Sequence, residues 1–340
     1  MGQLHIATRS HIDHLINKRP GETKLGEKVQ TVHESNWAEE LKQSSARFVL
    51  LGIPEDIGVR ANYGIGGAHT LWEPALKAIL NVQHTDELKG NDLLVLGDFN
   101  FRDLMARAEQ ADVQALRELV AYIDEKVFPV IQTIIAAGKT PIVIGGGHNN
   151  SYPLLHGASL AKGCKVNCIN LDAHSDYRMM EGRHSGNGFR YAKKKDFLEK
   201  YAIIGLHKSY NSQEVLNELN TDKDIAYSFY EDIFIDSRLD FDAAINNALT
   251  HTSGKITGIE LDMDSIEHVL ASAATPSGIS TLKARRYVST CAQKADVAYL
   301  HITEGATKLK QGKEDIYTAK LVAYLVTDFM RNTPMPKRAF

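Results

Sequence analysis

Eight apolar runs of strand length recur along the chain, and between most of them the apolar positions shift to helical spacing. The runs are RFVLLGIP (47–54), DLLVLGDF (92–99), TPIVIGGG (140–147), KVNCINLDA (165–173), YAIIGLH (201–207), DIAYSFY (224–230), ITGIELDMD (256–264) and DVAYLHITE (296–304). Near-continuous apolar runs predict strands buried on both faces. The clearest helical stretch is 112–139, closed by Gly138. DFLEKY (196–201), SQEVLNEL (212–219), FDAAINNAL (241–249), TLKARRYVSTCAQKA (281–295) and EDIYTAKLVAYLVTDFMRN (314–332) read the same way. Alternating strands and helices predict an α/β fold, a parallel sheet with helices on both faces.

No linker-like segment and no internal repeat divides the chain, which predicts a single domain over 1–340. Residues 1–45 are polar and weakly periodic, and read as an N-terminal extension with one or two short helices such as SNWAEELKQ (35–43). His5, His11 and His14 are irregularly spaced there and are expected to face solvent. The last eight residues, TPMPKRAF, read as a frayed tail. With 340 residues and 43% hydrophobic content the chain can bury a large core. A net charge of −3 gives no electrostatic case for nucleic acid or an anionic membrane. The N-terminus has no secretory-type apolar stretch, and no run approaches the roughly 20 apolar residues of a spanning helix. The Met1-Gly2 start lacks the Ser or Thr of a myristoylation signal. Three cysteines, Cys164, Cys168 and Cys291, fit reduced thiols in a cytoplasmic protein, with Cys164 and Cys168 expected to pack in the core.

Three of the predicted strands end in metal-type ligands. PIVIGGGHNNS (141–151) supplies His148, VNCINLDAHSDYR (166–178) supplies Asp172, His174 and Asp176, and ITGIELDMDSIE (256–267) supplies Asp262 and Asp264. Strand alternation puts Asp172, His174 and Asp176 on one face, and Asp262 with Asp264 on another, while Leu261 and Met263 face the core. The glycines before His148 allow a tight turn, and the Asn-Asn-Ser after it is placed to cap a helix. Either aspartate group alone is an ordinary solvated loop. Four aspartates in one strand-end crevice would repel one another and raise their own pKa values unless cations intervened. The mixed imidazole and carboxylate set favours Mn²⁺ or a similar metal over thiolate-type zinc. Two such ions about 3.5–4 Å apart would support hydrolysis at an electrophilic carbon or phosphorus.

The motifs GG-x-H, D-A-H-x-D and D-x-D-S-I-E, in this order, resemble the ureohydrolases, the arginase–agmatinase–formimidoylglutamase family, over roughly residues 45–330. The resemblance implies a three-layer α/β/α arginase-like fold with a mostly parallel eight-stranded sheet and two Mn²⁺ ions per chain. One ion would be held by His148, Asp172, Asp176 and Asp262, the other by Asp172, His174, Asp262 and Asp264. It also implies that a metal-bridging hydroxide attacks the amidine carbon, with Asp176 passing a proton to the leaving nitrogen. In YLHITEGAT (299–307), Glu304 sits where the family grips a cationic amidine or guanidine.

The neighbouring residues depart from arginases. Arg178, two residues past a ligand, wants an anionic partner and would repel a second guanidinium. GRHSGNGFRYA (182–192) resembles the formimidoylglutamase form of a loop that reads His-Gly in arginases, so Ser185 replaces an auxiliary proton-relay histidine. His184 is adjacent and stands as an alternative relay, and Asn187 of this loop as a substrate contact. PEDIGVRANYGIGGA (54–68) resembles the family's early loop but has Ile65 where an arginine is usual, leaving Arg60 and Asn62 as contacts. Arg183 and Arg190 read equally well as cleft residues or as surface ion pairs. The favoured substrate is the dicarboxylic amidine N-formimidoyl-L-glutamate, cleaved to L-glutamate and formamide in histidine degradation.

The alternatives are an arginase, agmatinase or other guanidino-acid hydrolase releasing urea, and, outside the enzyme class, a non-catalytic ligand-binding relative. Intact ligands at all six positions argue against the latter. A two-metal phosphoesterase would want an anion cradle, and GGGHNNS lacks the P-loop lysine. A histone-deacetylase-like protein would use a single metal. The expected partner is a small anionic amidine, with no nucleic acid and no membrane, and a homo-oligomer stays open.

Overall fold

The computed structural model describes residues 3–335. The Met1-Gly2 start and the last five residues of TPMPKRAF lie outside the described residues. Among the described residues nine strands form one sheet: β1 (Gln3–Ile6), β2 (Phe48–Gly52), β3 (Leu93–Asn100), β4 (Thr140–Ile144), β5 (Val166–Leu171), β6 (Leu198–Leu206), β7 (Ile225–Phe229), β8 (Thr257–Asp262) and β9 (Val297–Thr303). Their spatial order is β1-β3-β2-β4-β9-β8-β5-β6-β7. All eight strands expected from apolar runs are present and mutually parallel.

The ninth strand corrects the expected count of eight. β1 comes from the N-terminal extension and pairs antiparallel with β3, Gln3 opposite Asn100 and Ile6 opposite Gly97. Gly97 makes the pairing sterically open: it has a φ of +130°, and a Cβ there would lie 1.9 Å from the His5 carbonyl oxygen. The extension also carries the helices Arg9–Leu15 and Trp37–Gln43, the second within the expected 35–43. His14 is exposed as expected. His5 is exposed as well, 3.4 Å from Asp98, while His11 is half-buried, 3.4 Å from Glu73.

Strand alternation builds three layers. Phe48 and Leu50 of β2, Ile142 and Ile144 of β4, and Ile259 and Leu261 of β8 pack into one core with helices Trp72–Leu80, Phe241–His251, Thr281–Lys294 and Thr318–Asn332. Val49, Leu51 and Val143 face the opposite core against helices Val113–Ala136, Ser151–Lys162 and Gly188–Lys194. In the helix Val113–Ala136 the Asp112 side chain accepts the Ala115 N–H at 2.8 Å, and Leu116, Val120, Ile123, Val127, Ile131 and Ile134 form the buried stripe. Each such side chain contributes about 1.5–3 kcal/mol by leaving water. Among the described residues no helix is long and apolar enough to cross a membrane.

Two local expectations fail. DFLEKY is not a helix: the helix ends at Lys194, Asp196 takes a left-handed φ of 63°, and Leu198 already pairs with Val166 in the sheet. Six residues are too few for periodicity to separate helix from strand. Cys164 is exposed rather than in the core, because β5 starts only at Val166; Cys168 and Cys291 are buried, and all three thiols are free.

Candidate metal centre and substrate cleft

The four central neighbours β4, β9, β8 and β5 release their chains at one end of the sheet, and each delivers polar side chains there. After β4 the backbone turns through Gly145 and Gly146, both at positive φ, into a 3₁₀ turn His148–Asn150 and then the helix Ser151–Lys162. A Cβ on Gly146 would lie 2.3 Å from the Asn150 amide and 2.9 Å from Glu55 Oε1. The asparagines do not cap the helix, contrary to expectation. Their side-chain amides reach the buried Glu55 carboxylate, Asn150 at 2.7 Å and Asn149 at 3.2 Å. Glu55 also accepts the N–H groups of Ile57 and Gly147, stitching the 54–58 loop to the His148 turn.

The six expected ligands come together. His148 Nδ1 lies 2.8 Å from Asp176 Oδ2, 3.1 Å from Asp262 Oδ2 and 3.2 Å from Asp172 Oδ2. His174 Nδ1 lies 3.4 Å from Asp264 Oδ2 and 3.6 Å from Asp172 Oδ1. Ligand atoms of His148, Asp172, Asp176 and Asp262 all fall within 4.8 Å of one another, as do those of Asp172, His174 and Asp264. Asp172 therefore belongs to both clusters, whereas Asp262 joins only the first. Its Oδ1 accepts the Asp264 N–H at 2.8 Å within the turn Met263–Ser265.

Simple alternation does not produce this geometry. β5 ends at Leu171 and Asp176 has a left-handed φ of 45°; β8 ends at Asp262 and passes into a 3₁₀ turn. Leu261 and Met263 are buried as expected. The Asp172–Asp176 loop is clamped by Asn211, which accepts the Ser175 N–H at 3.0 Å and donates to the Ala173 carbonyl at 3.2 Å. The Tyr201 hydroxyl donates to the Ser175 carbonyl at 3.0 Å. Tyr210 stacks on His174 with ring centroids 5.3 Å apart.

Without cations this cluster is electrostatically frustrated. Burial, then Asp264 and Asp172, pushes the Asp262 carboxyl well above its ordinary range. Burial and Asp172 push Asp176 up to about 6. Burial, followed by Asp264, pushes Glu304 up to about 8. Asp172 moves the other way: burial opposes its charge, but hydrogen bonds from His148 and His174 outweigh it and hold the carboxyl at about 2. Asp264 Oδ1 is buried with no hydrogen-bond partner among the described residues. Among the described residues the ion pairs of these four aspartates are with His148 and His174 alone. Hard oxygen donors, two imidazoles, an orphaned carboxylate oxygen and surplus negative charge fit divalent cations.

A cavity of about 530 Å³ opens onto the cluster. Glu304 forms part of its wall, buried at the end of β9, with its carboxylate accepting the His148 backbone N–H at 2.8 Å. Asn62, Arg178, Ser185 and Arg190 line it too. Arg178 is half exposed and reaches Glu181 at 3.2 Å. Arg190 is buried against the Tyr177 ring and pairs with Glu218.

Three expected site residues do not reach the cleft. Arg60 turns away to Glu109 at 3.1 Å, Asp56 at 3.6 Å and the Ala108 carbonyl. Asn187 has both ends of its amide committed: it accepts from Arg183 at 2.8 Å and donates to the Met179 and Gly182 carbonyls. His184 is fully buried, its Nδ1 accepting the Gly186 N–H at 3.1 Å. Burial and the neighbouring Arg178 and Arg117 hold its pKa down at about 4, so the ring is neutral. Ser185, not His184, stands on the cavity wall. Arg183 is a buried ion pair with Asp124 rather than a surface one. Sequence reading missed Glu55, Tyr201, Tyr210 and Asn211, none of which carries a local signal of its contacts.

The sequence profile of the Arginase family matches residues 46–331. A formimidoylglutamase of Klebsiella pneumoniae is 34% identical over 178 residues, 50% of this chain and 50% of that protein. The chain thus spans about half the length of the curated relatives it matches. The crystal structure of formimidoylglutamase from Bacillus subtilis superposes with a TM-score of 0.75 at 18% identity, covering 93% of each chain. That of Trypanosoma cruzi formiminoglutamase with Mn²⁺ gives 0.71 at 20% identity, covering 92% of this chain and 98% of that one. These likenesses establish the three-layer fold.

Proposed function

This chain belongs to the arginase family, and from that premise we propose that it is a dinuclear-manganese amidine hydrolase that cleaves N-formimidoyl-L-glutamate to L-glutamate and formamide. The observation that carries the reading is the pair of ligand clusters sharing Asp172, which open into the same cavity as Glu304 and Arg178. The names of the relatives, formimidoylglutamases, and the Mn²⁺ in one similar structure support the same choice.

We assign His148, Asp172, Asp176 and Asp262 to one ion and Asp172, His174 and Asp264 to the other, with Asp262 given to the second ion as well by the family resemblance. Ions held there would supply Lewis-acid activation of water for attack on the amidine carbon. The protein's own groups do the rest. Glu304 faces the cationic amidine with a carboxylate fixed by the His148 N–H. Asp176, at the cavity wall, is placed to give a proton to the leaving nitrogen. Arg178 meets a substrate carboxylate, which would compete with Glu181 for the guanidinium. Ser185 and Asn62 add neutral hydrogen-bonding groups on the same wall. In this reading the chain acts as one domain, in the cytoplasm, on a small anionic molecule, and residues 1–45 are an extension that completes the sheet edge.

A second reading, a guanidino compound cleaved to urea, is favoured by Glu214, which also lines the cavity and would suit a cationic tail. Side-by-side assays of the Mn²⁺-loaded protein separate the two. Formamide from formimidoylglutamate is expected; urea from arginine, agmatine or a guanidino acid, with no formamide, would overturn the substrate assignment and leave the metal assignment standing.

A further inference from the structure

One step beneath the ligands, three polar residues stand in register across three adjacent strands. Asn170 of β5 pairs with Glu260 of β8, and Glu260 with His301 of β9. All three are fully buried. Polar side chains in the middle of a parallel sheet are costly unless they find partners, and among the described residues every polar side-chain atom of the three but Asn170 Oδ1 has one. Asn170 donates to Asp172 Oδ2 at 3.0 Å and to the Tyr201 hydroxyl at 3.0 Å. Glu260 Oε1 accepts the Tyr299 hydroxyl at 2.8 Å, and Oε2 lies 2.6 Å from His301 Nδ1.

The same Oε2 lies 3.4 Å from His148 Nε2. That nitrogen is buried and closes no aligned hydrogen bond, so Glu260 is the acceptor facing it. A carboxylate oxygen has two lone pairs and can serve both imidazoles. The Phe189 ring, edge-on at 5.1 Å, packs against the His148 ring from another side. The ring is thus held with Nε2 toward Glu260 and Nδ1 toward Asp172, Asp176 and Asp262.

We infer that Glu260 is a positioning residue for His148. By holding the Nε2 proton it makes Nδ1, which faces the ligand cluster, the nitrogen that would give up its proton when a cation binds. An imidazole binds a cation through its unprotonated nitrogen, and the partner of the other nitrogen decides which one that is. Tyr299 and His301 in turn hold the Glu260 carboxylate in place. The inference rests on the metal reading proposed above, and concerns only how one ligand is presented.

The test is Mn²⁺ titration of the full chain, followed by electron paramagnetic resonance of the free ion, with wild type, E260Q and E260L. Outer carboxylate partners of a ligating histidine alter metal affinity about 10- to 100-fold. E260L is expected to weaken the ion held by His148 at least tenfold and to leave the ion on the His174 side nearly unchanged. E260Q, whose amide oxygen still accepts, should bind close to wild type. Nitrogen-15 NMR of the histidine rings in wild-type protein loaded with diamagnetic Zn²⁺ gives a second readout that needs no folded variant: His148 should carry its single proton on Nε2. Wild-type affinity for both ions in E260L, or a His148 proton on Nδ1, would overturn the inference. Wild-type protein that binds fewer than two ions would overturn the dinuclear reading instead, and the NMR tautomer still decides the role of Glu260.

Discussion

The Glu304 carboxylate accepts the backbone N–H of His148 at 2.8 Å, tying the end of β9 to the turn that follows β4. One side chain thereby braces a metal-ligand turn and presents to the cavity a carboxyl that bound cations and a cationic substrate would hold ionised. E304Q separates the two tasks, because the amide oxygen still accepts from His148 while the charge is gone. Mn²⁺ binding should stay near wild type. The kcat/KM for formimidoylglutamate should fall about 10- to 150-fold, the value of a charged hydrogen bond of about 1.5–3 kcal/mol. Unchanged kcat/KM would remove Glu304 from substrate binding.

Arg178 differs in that its side chain is 51% exposed and contributes little to packing. R178A should leave the unfolding temperature unchanged and raise KM for an anionic amidine about tenfold or more, with a smaller effect on kcat. R178K should recover only part of the loss, since an ammonium cannot form the two-pronged contact of a guanidinium. Equal KM values in wild type and R178A would leave the dicarboxylate assignment without its cation.

The surplus negative charge around Asp172 predicts that the ions stabilise the fold as well as the chemistry. A ligand that binds only the folded state at 100 times its dissociation constant adds about 2.7 kcal/mol. Chelation should therefore lower the unfolding temperature, and added Mn²⁺ should restore it. D172A removes the carboxylate common to both clusters, so its unfolding temperature should no longer respond to Mn²⁺. A response as large as that of wild type would refute the shared role.

Much of this site was legible because its signals are local. Each ligand follows an apolar run, so the strand pattern and the spacing of Asp172, His174, Asp176, Asp262 and Asp264 carried the information together. What failed depended on long-range partners. β1 is four residues long with only Ile6 buried, and its identity as a strand exists only through pairing with β3. Arg60 and Asn187 lie close to the site in sequence, yet Glu109 and Arg183 claim their side chains. Glu260 reads as an ordinary position in a strand, and only the register of β8 with β9 reveals that it faces His301 and His148.

Arg183 anchors the loop that carries Ser185. Its guanidinium reaches Asp124 Oδ2 at 2.8 Å and Oδ1 at 3.3 Å, the Asn187 side chain at 2.8 Å and the Asn149 carbonyl at 2.7 Å, with its carbon 4.8 Å and 5.0 Å from the centres of the Tyr152 and Tyr191 rings. Removing one member of such a buried pair costs about 3–5 kcal/mol, so R183M should be destabilised by that order. The loss should depend on pH in a defined direction. Burial pushes the Asp124 carboxyl up to about 6, against the pull of Arg183. A carboxyl raised above its unfolded value of 3.8 stabilises the fold below that value and loses the contribution as pH rises through the folded pKa. Without Arg183 the folded pKa rises further. Below about pH 6 the carboxyl is mostly protonated in both folded proteins, and the deficit of R183M should be flat. From pH 6 to 8 wild type ionises into a paired anion while the variant must keep its proton. The deficit should then grow by up to about 1.4 kcal/mol per pH unit. Urea denaturation of both proteins at pH 5, 6, 7 and 8 reads this directly, and a deficit constant across the series would show that Asp124 does not depend on Arg183 for its charge.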